Sequence, residues 1–170
     1  MFRKRGFVVK ITQAIPQNKG VTPMALQVFV NFDGHCREAV AYYAKVFKTA
    51  APRFMTYGEA PADPEMGVSE KDMNLVMFID LDILGTNVMF CDTPPGMPFV
   101  KGNNISLTVV TKDADEIKRL FHALAAGGEI VMELQETFWS NLYGMVTDRY
   151  GIHWQFSHDS GKEVGSGTPQ

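Results

Sequence analysis

Apolar and polar positions follow two rhythms along this chain, and the order of those rhythms repeats. Val28-Phe29-Val30-Asn31-Phe32 alternates as a strand does. From Glu38 to Phe47 the period changes. Val40, Tyr43, Ala44 and Phe47 fall at i, i+3, i+4 and i+7, which predicts a helix with one buried stripe. After a shift of 77 residues the pattern returns. Ile105 to Val109 reads as a strand, with Ile105, Leu107 and Val109 expected to face a helix. In that helix Ile117, Leu120, Phe121 and Leu124 repeat the spacing. Asp113 or Asp115 is its cap, and Gly127-Gly128 ends it.

Strand material follows each helix. After the first come Arg53–Tyr57, Asn74–Asp82 and Asn87–Asp92, the last two joined by a turn at Leu84-Gly85-Thr86. After the second come Ile130–Leu134, Leu142–Thr147 and Ile152–Ser157, with Asp148-Arg149-Tyr150-Gly151 as the turn. Each half is therefore β-α-β-β-β, and the chain is an α+β protein of two tandem modules. Residues 24–92 form the first module and 103–158 the second, with a proline-rich linker over 93–102. Residues 1–23 are expected to be a peripheral N-terminal extension, and 159–170 a flexible Gly/Ser-rich tail.

Charge narrows the function classes. The net charge is −3, but residues 1–23 hold five cations and no acid, which leaves −8 on the rest. An acidic body argues against binding a phosphate backbone. No stretch of 18 apolar residues occurs, so no membrane span is expected. Two cysteines, Cys36 and Cys91, are too few for a disulfide framework and suit a reducing cytoplasm. No glycine-rich turn links a strand to the start of a helix, so no nucleotide-type cofactor site is expected.

The tandem modules, together with Gln135-Glu136-Thr137-Phe138-Trp139 and Val146-Thr147-Asp148-Arg149-Tyr150-Gly151, carry a resemblance. The chain resembles the PhnB-like branch of the vicinal-oxygen-chelate, or glyoxalase/bleomycin-resistance/dihydroxybiphenyl dioxygenase, superfamily. The resemblance spans roughly Ala25 to Ser157. It implies modules that form a cupped, half-open mixed sheet around a cavity, with helices outside. It also implies a homodimer that binds a small organic ligand. Proteins of this branch often carry a 3-demethylubiquinone 3-methyltransferase label. The lack of a nucleotide site and the non-Rossmann topology disfavour S-adenosylmethionine-dependent methyl transfer.

Metal-dependent members of the superfamily place His and Glu ligands on the first and last strand of each module. Strand alternation and the repeat map those positions here onto Gln27, Met89, Asn104 and Gln155. Amides and a thioether do not replace anionic and imidazole ligands, so the standard divalent metal is disfavoured. Cofactors are otherwise undetermined. The expected ligand-binding set is Gln27, Phe29, Asn31, Met89, Asn104, Trp139 and Gln155.

An alternative is a lyase, isomerase or dioxygenase-type enzyme, with Glu136 and His153 as acid–base groups. Glu136 reads equally as a rim carboxylate, and His153 as a hydrogen-bonded structural residue. Phe138 and Trp139 read either as a ligand wall or as packing. His35 and His158 are expected at the surface, and His122 facing solvent. Cys91 is a candidate cavity residue or a small buried hydrophobe. Whether the protein is an enzyme stays open at this level.

Overall fold

A computed structural model describes residues 26–61 and 68–159. The expected N-terminal extension, most of the tail and part of the loop before Asp72 lie outside the described residues. The order is β1 (Val28–Phe32), α1 (Cys36–Val46), β2 (Met55–Thr56), β3 (Val76–Ile83) and β4 (Thr86–Asp92). Then come β5 (Leu107–Thr111), α2 (Ala114–Ala125), β6 (Glu129–Gln135), β7 (Tyr143–Thr147) and β8 (His153–His158). The strands form two four-stranded mixed sheets, β1-β4-β3-β2 and β5-β8-β7-β6. In each, the first strand pairs in parallel with the last, and the other pairings are antiparallel. This is the tandem βαβββ arrangement of an α+β fold.

The helical stripes are the core. Val40 and Tyr43 are fully buried, and so are Ile117, Leu120, Phe121 and Leu124. Each such side chain contributes about 2 kcal/mol through removal from water. The two helices are capped differently. Asp113 accepts the amides of Asp115 and Glu116 at 3.0 Å, as a local N-cap should. At α1 the capping residue His35 makes no such bond. The carboxylate of Asp92, 56 positions away at the end of β4, accepts the Cys36 amide instead at 2.9 Å. The same group accepts Val76 N at 2.8 Å, so one buried acid ties α1, β3 and β4 together.

Two strands differ from the sequence reading. Pairing of β5 begins at Leu107, opposite Trp154. Among the described residues its one partner strand, β8, starts at His153, so Ile105 has no ladder to join. Ile105 is accordingly 76% exposed and does not face the helix. From Leu107 onward the expected alternation stands, with Val109 buried and Thr108 and Val110 on the opposite face. The stretch Arg53–Tyr57 yields only the two-residue β2, at an irregular register against β3. Tyr57 instead opens a short 3₁₀ turn.

One apolar core runs through both modules. The Tyr42 hydroxyl donates to the carbonyl of Ala123 on α2. Arg119 on α2 donates to the carbonyl of Val46 at 2.9 Å. Phe47 packs its ring 5.4 Å from Trp154.

Candidate functional site

A cavity of about 840 Å³ opens between β1, the segment joining the modules and the start of β8. This volume lies in the range of small-molecule sites. The alternation of β1 puts Val28, Val30 and Phe32 against the core and turns Phe29 and Asn31 outward. Phe29 and Asn31 both line the cavity, as do Asn104 and His153. Four of the residues singled out from sequence are thereby brought together.

Polar groups in this cavity are few and mostly engaged. The Cys91 thiol donates to Asn31 Oδ1 at 2.9 Å. Burial, helped by the charge of Asp92, pushes the Cys91 thiol up to about 12. It is a protonated donor here and not a thiolate nucleophile. His153 shares a 2.9 Å hydrogen bond between Nδ1 and Thr147 Oγ1 on the neighbouring strand. Tyr57 is also in the wall. Burial first, then Cys91 and Asp92, pushes its phenol up to about 12, so it remains neutral.

Gln155 belongs to a second group. Its Oε1 accepts the Tyr143 hydroxyl at 2.8 Å, and its Nε2 donates to Ser106 Oγ at 2.7 Å. Both ends of the amide are held, which fixes its orientation. Trp139 stands edge-on to Tyr143, with ring centres 5.4 Å apart. Phe138 lies against Trp139 at 4.5 Å and is 83% exposed. The strands β7 and β8 pair Tyr143 with Ser157 and Met145 with Gln155, so this group shares the open face of the second sheet.

The remaining expected residues fall elsewhere. Gln27 is exposed just ahead of β1 and is not among the cavity-lining residues. Met89 is buried on β4, paired with Phe29 and Asp80. Glu136 is exposed in the segment after β6 and does not line the cavity. His35 and His122 are exposed, whereas His158 is half-buried at the end of β8 because its amide is tied to Leu142 O and Ser140 Oγ.

The four mapped ligand positions do not fit a catalytic transition metal. Gln155 spends its carbonyl oxygen on Tyr143. Gln27 and Asn104 are neutral amides and Met89 is a buried thioether. Among the described residues no three His, Cys, Asp or Glu side chains are grouped to hold an ion.

Tyr143, Tyr57 and Lys101 are functional candidates that sequence reasoning did not single out. Tyr143 had a signal, since it sits two residues from Met145 on the strand opposite Gln155. Lys101 had none, because it lies in a linker without periodicity.

Residues 24–157 match the family model described as 3-demethylubiquinone-9 3-methyltransferase. Protein YjdN of Escherichia coli (strain K12) is 30% identical over 142 residues, covering 79% of this chain and 95% of that protein. The crystal structure of protein PA1353 from Pseudomonas aeruginosa aligns with TM-score 0.68 at 28% identity, over 79% of this chain and 98% of that one. A putative 3-demethylubiquinone-9 3-methyltransferase, PhnB protein, from Bacillus cereus aligns with TM-score 0.61 at 24% identity, over 79% and 99%.

Proposed function

The chain belongs to the family described as 3-demethylubiquinone-9 3-methyltransferase, the PhnB-like branch of the vicinal-oxygen-chelate superfamily, and from that membership we propose that it binds a small, partly apolar organic molecule. The observation that carries this reading is the cavity at β1. Phe29, Leu107 and Ile152 provide apolar wall, while Asn31, Asn104 and His153 provide a few convergent polar atoms. Binding needs no group with a displaced protonation state, and the Cys91 thiol is held neutral.

The methyltransferase description is disfavoured as an activity. The turn from β1 into α1 carries one glycine, Gly34, and the turn from β5 into α2 carries none, so among the described residues no glycine-rich loop opens a helix to cradle a nucleotide-type cofactor. The alternative enzyme would use Glu136 and His153. Only His153 lines the cavity, and it is bonded to Thr147, which supports binding over acid–base chemistry.

In this reading the protein is a cytoplasmic homodimer. Among the described residues no helix is long and apolar enough to cross a membrane. Val110 at 60% and Val131 at 52% exposure leave apolar side chains in the second sheet for a second copy to cover. Calorimetric titration against a panel of aromatic and antibiotic-like molecules tests the binding. The expected result is saturable, one-to-one binding of at least one class, and heat-silent titrations across the panel would contradict it.

A further inference from the structure

The wall of the cavity has a charge bias. Among the described residues that line it, none is Asp or Glu, and Lys101 is the single Lys or Arg. The residues beyond 23 carry −8, and that excess of acids lies outside the cavity lining. The carboxylates of Asp92 and Asp148 lie buried behind the wall, where they are engaged by Cys36 N and Val76 N and by Tyr43 and Trp154, so the one charged group an anion in the cavity meets directly is Lys101.

Lys101 is placed by backbone geometry. Its side chain lies across Gly151, the last residue of the Asp148–Gly151 turn. A Cβ at Gly151 would stand 3.3 Å from Lys101 Cδ and 3.4 Å from Nζ. Gly151 has φ +86 and donates its amide to Asp148 O at 2.9 Å, so the seat is rigid. The missing Cβ leaves room for the aliphatic stem, and the ammonium comes to rest at the cavity rim. Asp33 and Glu38 line a smaller neighbouring recess that Lys101 also borders. Among the described residues, no carboxylate lies within 4 Å of Lys101 Nζ. The positive charge is therefore available to a ligand.

Resting on the binding reading above, we infer that the cavity selects apolar molecules that carry one anionic group, of the aryl or alkyl carboxylate or sulfonate class. Lys101 is the specificity residue. The hydrocarbon part sits against Phe29, Leu107 and Ile152, and the anion reaches the Lys101 ammonium at the rim.

Two dyes with one skeleton test this. 1-Anilinonaphthalene-8-sulfonate carries an anion, and N-phenyl-1-naphthylamine lacks it. Fluorescence titration should show the sulfonate binding about tenfold more tightly, with the advantage shrinking as salt rises. Lys101→Gln should bring the sulfonate to the affinity of the neutral dye and leave the neutral dye unchanged. Lys101→Arg should keep the preference, and Lys118→Gln, which removes a charge from α2, should not alter it. Equal binding of the two dyes to the unaltered protein would overturn the inference. So would a Lys101→Gln variant that weakens both dyes equally. Failure of both dyes to bind would instead sink the cavity reading itself.

Discussion

The hydroxyl of Tyr43, on α1 in the first module, donates to the Asp148 carboxylate of the second module at 2.6 Å. Asp148 is almost wholly buried and accepts three further donors: Trp154 Nε1 at 2.9 Å, Tyr150 N at 2.9 Å and Ile152 N at 3.0 Å. One carboxylate thus shapes the turn before β8 and fastens α1 to it. The turn also seats Lys101 and presents His153, so the latch positions one wall of the cavity.

Tyr43→Phe removes a single donor from this carboxylate and leaves the ring packing intact. We expect unfolding free energy to fall by about 2 kcal/mol, as for a hydrogen bond to a charged group. Asp148→Ala also strands the Tyr43 and Trp154 donors in the core. That variant should lose about 4 kcal/mol. Urea denaturation of the three proteins checks both values, and equal midpoints would refute the latch.

Leu84 holds φ 53 beside Gly85 at φ 82, which makes a two-residue hairpin loop with both residues in the left-handed region. A leucine is strained there, and Leu84 is 58% exposed, so it has little packing to lose. Leu84→Asn should raise stability by about 1 kcal/mol, and Leu84→Ile should lower it by a similar amount. Thermal melts of the two variants check the opposite signs.

Alkaline pH should weaken the fold. Burial pushes the Cys91 thiol from its ordinary 9.0 up to about 12 and moves Cys36 in the same direction, with Asp92 adding to both. Between pH 9 and 12 the folded state keeps protons that the unfolded chain has released. Stability is therefore full below pH 9 and falls as pH rises, approaching about 1.4 kcal/mol per unit for each thiol. Tyr43 and Tyr57, both raised by burial, add to the loss above pH 10. Urea midpoints at pH 7.5 and pH 10 measure it, and Cys91→Ala should flatten the slope. A slope unchanged in that variant would contradict the assignment.

Much of the fold was legible because its signals are local. The stripe of Ile117, Leu120, Phe121 and Leu124 announces α2, and all four are fully buried. The alternation of Val28 to Phe32 bounds β1 as observed. The start of β5 was not legible, because it depends on where β8 begins, 46 residues later. The site was legible in part. Phe29 and Asn31 follow from alternation on β1, and His153 from alternation on β8. The cavity itself is closed by the segment from Thr93 to Asn104, whose prolines and glycines carry no period to read. Lys101 gains its position from the absent Cβ of Gly151, 50 residues further along. Alternation predicts Gln155 in the ligand cavity, but it lies outside the cavity lining, clamped between Tyr143 and Ser106, and that clamp is a tertiary fact.

If a small apolar molecule occupies the cavity at β1, filling that cavity must block binding. Thr93 lines that cavity, is half-buried, and needs only its backbone amide to hold Phe32 O at 2.7 Å. Thr93→Trp therefore fills the space while leaving the ladder intact. The most direct measurement is fluorescence titration of N-phenyl-1-naphthylamine into the unaltered protein and into Thr93→Trp, with thermal melts to show that both are folded. The expected result is saturable one-to-one binding that weakens at least about tenfold in the variant. Equal affinity in the two folded proteins would contradict it.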